Sequence, residues 1–205
     1  NVSAHTLVGI AVYGAATATT SLAGAAAVEI QQGWGRQLAL TGMPHGLFIS
    51  AKSVISLAMA TLPVVLINAV GYFTATEMDT GRWLATAALT VIASLPFALY
   101  GLAAGLAFRS DAAVGAASGM LVVLGFLGNS FFPLEGTLLD IGRFTPMYGV
   151  SALARYPISD GEILSAGEGT LGTDPLWGIL LNIVAWSTVL AVACFALRSR
   201  STSRS

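Results

Sequence analysis

Residues 175–197 read PLWGILLNIVAWSTVLAVACFAL, a run without one Asp, Glu, Lys or Arg. A helix rises about 1.5 Å per residue and a bilayer's hydrocarbon core is about 30 Å thick, so roughly 20 apolar residues span it. Four further stretches, 1–28, 53–76, 83–108 and 112–134, also lack those charges. In hydrocarbon every backbone polar group needs an internal partner, which leaves helices or closed barrels. Barrel strands alternate apolar and polar positions over about ten residues, and these runs do not alternate. The chain reads as an all-α polytopic membrane protein with five spans, at approximately 2–27, 53–75, 83–108, 112–131 and 175–197.

The bulk numbers agree. Of 205 residues, 55% are hydrophobic and only 9% charged, and the mean hydropathy is +0.78. A soluble domain carries about a quarter charged residues. Lys and Arg in the connections set the orientation. With segment 29–52 inside, that side holds Arg36, Lys52, Arg109, Arg198, Arg200 and Arg204, against Arg82, Arg143 and Arg155 outside. The chain's N-terminus is then expected outside and its C-terminus in the cytoplasm. Because the sequence opens on Asn1, already inside a span, one more helix is expected upstream.

Small residues crowd the spans. Gly101 with Gly105, and Gly115 with Gly119, have the four-residue spacing that lets helix backbones approach in lipid. The spacing serves packing within the chain first, and self-association is the alternative. Pro63 and Pro96 are expected to kink their spans. No Asp, Glu, Lys or Arg falls inside a span, which argues against an ion-coupled pump. His5 and His45 are expected at opposite faces of the membrane, and Cys194 stands alone in the last span. No catalytic, cofactor or metal constellation emerges, and nothing suggests nucleic acid. Residues 46–53, GLFISAKS, approach a phosphate loop, but Ala51 replaces its second glycine and no strand precedes it. Lys52 reads better as a charge anchoring the next span.

Segment 28–46 is the polar connector. On a helix, Ile30, Trp34 and Leu38 would share one face, with Glu29, Gln32 and Arg36 flanking it. That pattern suits an amphipathic helix on the inner membrane surface, whether it floats there or docks a partner. Gly42, Pro44 and Gly46 then break the helix. On the other side, residues 132–174 form an outer segment. In it Leu138, Leu139, Ile141 and Phe144 can share an apolar face, and Ser159–Asp174 reads as a polar surface loop.

Two blocks carry a family resemblance. Glu29, Gly33, Trp34, Arg36 and Leu38, followed by Thr41-Gly42-Met43-Pro44 and Lys52, resemble the coupling segment of ABC-2 type transporter permeases. Ser118-Gly119, Gly125, Gly128 and Asn129, then Phe131-Phe132-Pro133-Leu134-Glu135 and Phe144-Thr145-Pro146-Met147-Tyr148-Gly149, are similar to that family's fifth helix and outer re-entrant elements. Where the family commonly has a second outer proline, this chain has Thr137, Leu138 and Leu139.

The resemblance implies an exporter's membrane-spanning subunit in a bacterial plasma membrane, six spans in the whole protein, and outer half-helices that form a gate or a cap. It also implies two copies of a separate ATP-binding subunit, which would hold ATP and Mg, and a second permease copy or a close paralogue. Docking to the ATPase would fall to Glu29, Ile30, Gly33, Trp34, Arg36 and Leu38. The outer gate would use Phe132, Pro133, Glu135, Pro146 and Tyr148. For a substrate path, the polar-aromatic stripe Met120, Phe126, Asn129 and Phe131 is the candidate. A drug-like, lipid or glycan substrate suits the architecture. The alternatives are a stand-alone secondary transporter or channel, or a membrane sensor or anchor that transports nothing.

Overall fold

A computed structural model describes residues 2–34, 45–73, 79–165, 167 and 169–202. Its elements are α1 (Val2–Glu29), α2 (His45–Phe73), α3 (Thr80–Ala93), α4 (Leu95–Phe108), α5 (Asp111–Leu127), α6 (Gly136–Gly142), α7 (Pro146–Ser159), β1 (Glu162–Leu164), β2 (Thr170–Thr173) and α8 (Leu176–Thr202). Among the described residues four helical runs are long and apolar enough to cross a membrane: Ser3–Gly33, Val54–Phe73, Thr80–Phe108 and Leu176–Leu197.

The fourth expected span, 112–131, is shorter than its charge-free run. α5 stops at Leu127 after 17 residues, which is about 26 Å of helix. Asn129, at φ 56°, turns the chain out of the helix. The third expected span is two stacked helices, α3 and α4. Pro96 sits in the first turn of α4, where its missing N–H costs nothing, and the Ser94 amide closes α3 on the Thr90 carbonyl at 3.1 Å. Pro63, by contrast, stays within a single helix, α2. That helix begins at His45, so residues 46–53 are helical backbone and not a phosphate loop.

α1 is the hub. Val8, Val12, Ala15, Ala16, Thr19 and Thr20 are buried along it. Lipid is as apolar as leucine, so close packing and polar contacts must hold such helices together. α1 and α4 meet almost backbone to backbone: a Cβ on Gly101 would overlap the Thr20 carbonyl, and one on Gly105 would lie 2.5 Å from the Gly24 oxygen. The Thr20 hydroxyl donates across the seam to the Phe97 carbonyl at 3.1 Å. Val65, Leu66 and Val70 on α2, and Leu181, Val184, Val192 and Phe195 on α8, are exposed. That surface suits hydrocarbon.

One end of the bundle, where α1 begins and α5 finishes, carries a cap made of α6, α7 and the hairpin. Two expectations change here. Ser159–Asp174 is not an irregular loop, because β1 and β2 pair antiparallel with Glu162 opposite Thr173 and Ile163 opposite Gly172. The apolar face expected on α6 is also rotated. Leu139 and Gly142 turn inward, whereas Leu138, Ile141 and Phe144 are exposed. Leu139 clusters with Leu134, Tyr148 and Ile163, and Gly142 lies against the Leu127 carbonyl. With residues one apart separated by about 100° on a helix, burying Leu139 turns its neighbour Leu138 away.

Candidate functional site

At the end opposite the cap, α1 runs to Glu29 and then opens into a wider turn, Ile30–Trp34, in which Gly33 takes φ 103°. That left-handed position is open to glycine and costly for other residues. It falls between Ile30 and Trp34, so the described residues do not form the single helical face expected through Ile30, Trp34 and Leu38. Arg36 and Leu38 lie outside the described residues. Ile30 is exposed. Gln31 fastens the turn to α4, its side-chain amide donating to the Gly105 carbonyl at 3.3 Å.

The four residues expected to line a path do not lie together. Met120 and Phe126 point outward from α5 and are exposed, whereas Asn129 is buried. Phe131 is half-buried and meets Phe126 and Tyr13 edge to face, at ring separations of 4.9 and 5.3 Å. Phe132 joins them, 5.5 Å from Phe126. The structure therefore gathers an aromatic group around Phe126 and turns the polar member, Asn129, the other way.

The residues expected to form an outer gate are tied into the cap. Pro133 follows the turn out of α5, and Pro146 opens α7. Glu135 accepts from the Ser165 hydroxyl at 2.5 Å, linking the α5–α6 connection to the hairpin. Tyr148 is buried and its hydroxyl donates to the Asp174 carboxylate. Arg143 pairs with that carboxylate at 3.1 Å. Asn182 of α8 donates to the Arg143 and Thr145 carbonyls at 2.9 and 3.2 Å, and Trp186 donates to the Phe144 carbonyl at 2.8 Å. Three polar side chains thus bind the α6–α7 corner to the start of α8. A Cβ on Gly149 would strike the Asn182 side chain, so that contact depends on glycine.

Beneath this corner lies a group that the sequence did not reveal. Asn129 caps its own turn, its side-chain oxygen accepting from the Leu134 amide at 2.9 Å. Its backbone carbonyl accepts from Arg155 Nη1 at 2.6 Å. The same Nη1 lies 3.0 Å from His5 Nε2. Arginine offers only donors, so His5 Nε2 must be the acceptor and carries no proton there. Ser130 and Ser151 share a buried hydrogen bond at 2.6 Å. Arg155 itself is only 4% exposed, and among the described residues no carboxylate lies within 4 Å of it.

Burial pulls the Arg155 guanidinium down to about 10, which still leaves it charged at neutral pH. Burial, with the Asp174 carboxylate beside it, pushes the Tyr148 hydroxyl up to about 12. The arrangement provides a fixed buried cation and hydrogen-bond donors, and no nucleophile with an adjacent base. Among the described residues no cluster of His, Cys, Asp or Glu could hold a metal ion.

Arg155, counted by sequence among the outer charges, thus stands in the cap as an enclosed side chain. The missed signal is periodic: Met147, Val150, Ser151, Ala154 and Arg155 recur at helical spacing, and all five are buried on one face of α7.

No family model matches the chain. It is similar to a Bacillus subtilis (strain 168) protein named "Putative transport permease YvfS", with 23% identity over 165 residues. The match covers 77% of this chain and 61% of that protein, so the chain spans about three fifths of its relative's length. The chain thus combines helices long and apolar enough to cross a membrane with a sequence similar to that protein's.

Proposed function

We propose that this chain is the membrane-spanning subunit of an ABC-2 type, ATP-driven exporter in a bacterial plasma membrane, carrying a hydrophobic or amphipathic substrate such as a drug, lipid or glycan outward. The observation that carries the reading is the similarity to a transport permease across most of the chain, to which the two motif blocks add the type. ATP and Mg belong to a separate ATP-binding subunit in two copies. Glu29, Ile30, Gly33, Trp34, Arg36 and Leu38 are its docking segment, and the turn at Gly33 supports this by redirecting the chain at the end of α1. Movement of that segment is passed through α1, the helix that packs against most of the others. A second permease copy completes the transporter, and the open face around Gly115 and Gly119 suits it.

Co-purification and transport test this together. Trp34→Ala with Arg36→Glu should abolish recovery of the ATPase with the permease, while the permease still folds. Full ATPase recovery would end the docking assignment. In proteoliposomes, export should require ATP and the partner. The alternative is a secondary transporter or channel, and one observation favours it: Arg155 is a buried ionisable residue that borders a small cavity. Transport driven by an ion gradient without the ATPase would establish that alternative.

A further inference from the structure

Arg155 borders a small polar cavity between the cap and the bundle. Its walls include His5 of α1, Asn129 of the turn after α5, Tyr148 of α7, Glu162 of β1 and Asp174. The free volume is about 20 Å³, and one water-sized particle needs roughly 10–15 Å³.

A cation removed from water needs a compensating charge or a complete set of hydrogen bonds. Arg155 has neither among the described residues. Its two hydrogen bonds both leave from Nη1 and end on neutral acceptors, His5 Nε2 and the Asn129 carbonyl. A guanidinium has five N–H donors, so those on Nε and Nη2 have no protein acceptor among the described residues. The two carboxylates that line the cavity do not neutralise it. Asp174 is committed to Tyr148 and Arg143, and Glu162 is exposed on the hairpin and beyond ion-pairing distance.

We propose that this cavity binds one monovalent anion of halide size, chloride being the natural candidate, as the counter-ion of Arg155. The donors select the ligand class, since unpaired N–H groups beside a space little larger than one water suit a small monovalent anion. The site is separate from the export reading and stands whether or not an ATPase is the partner. Chloride bound there holds α7 to α1 and to the turn after α5, and so fastens the cap to the bundle.

The test is thermal unfolding of the full-length protein in detergent, in sodium chloride against sodium gluconate at one ionic strength. Chloride and bromide should raise the midpoint with a saturating dependence, by roughly 3–6 °C at ten times Kd. Sulfate should not. Glu162→Gln removes a competing negative charge and should lower the half-saturating chloride concentration several-fold. Arg155→Gln should abolish the halide response. Should that variant fail to fold, bromide soaked into crystals of the unaltered protein decides the matter, with an anomalous peak expected beside Arg155. Equal midpoints in chloride and gluconate, the result for a cavity holding water alone, would overturn the proposal. So would an undiminished halide response in Arg155→Gln, or bromide-soaked crystals without a peak there.

Discussion

Gly101 and Gly105 on α4, and Gly115 and Gly119 on α5, share a four-residue spacing and lie on helices joined by a two-residue turn. Their surroundings differ completely. The first pair is pressed against the backbone of α1 at Thr20 and Gly24, whereas a Cβ on either glycine of the second pair would meet nothing within 4 Å. The motif states only that a backbone can come close. What comes close depends on which face of each helix looks inward. On α5 that inward face is Val114, Leu121 and Gly125, which leaves Gly115 and Gly119 on the outside. The difference separates a residue pair that holds this chain together from one free to meet another chain.

The sharpest way to break the comparison is Gly101→Leu. With the Thr20 carbonyl already where a Cβ would go, the variant should lose about 3 kcal/mol or more, read as a lowered unfolding midpoint in detergent. Next in size is Gly119→Leu. Folding stability should change by less than about 0.5 kcal/mol, because the position is open. The self-associated fraction in cross-linking or light scattering should nonetheless fall if a second copy packs there. Unchanged association would mean that the open pair faces only lipid. Of comparable size is Thr20→Val, which removes the hydroxyl bridge to Phe97 from the closed seam. A cost of about 0.6 kcal/mol is expected, the size typical of hydrogen bonds between membrane helices.

The last effect lies in the cap and appears only at alkaline pH. Tyr148 holds its proton up to about 12 in the fold, against about 10 in an unfolded chain. Between those values the folded state binds the proton that the unfolded state has released. Its contribution is therefore complete below about pH 10 and is lost as the pH rises toward about 12. Arg155 has the opposite sign over the alkaline range, since its folded value is the lower one. The difference between wild type and Tyr148→Phe isolates the tyrosine. Tyr148→Phe should flatten the loss of midpoint above pH 10, and an unchanged slope would place the titration elsewhere.

Much of this molecule was legible before folding was considered. Runs without charge marked the long helices, and Pro96 marked the break between α3 and α4. The limits of the reading are equally specific. Charge counting extended α5 past Leu127 because Gly128, Asn129 and Ser130 are uncharged, although a left-handed asparagine ends the helix there. Helical spacing placed Ile30, Trp34 and Leu38 on one face, but a single φ at Gly33 interrupts it. The expected path joined Asn129 to Met120 and Phe126, and the same turn at Asn129 separates them. In each case a local backbone angle overrode a periodic pattern, and a pattern carries no information about one angle.

The sequence by itself determined the solvent of this chain, because 9% charged residues in long uncharged runs cannot clothe a soluble globule. It also determined the helical class, since hydrocarbon forbids unpaired backbone. Only the tertiary structure decided which glycines face a neighbour, which way α6 is rotated, and that Arg155 is enclosed with His5 and Asn129. Those depend on contacts between residues as far apart as 150 positions in the chain. Composition sets the cost of exposing a side chain to each solvent, but only the packed arrangement decides which side chains are enclosed.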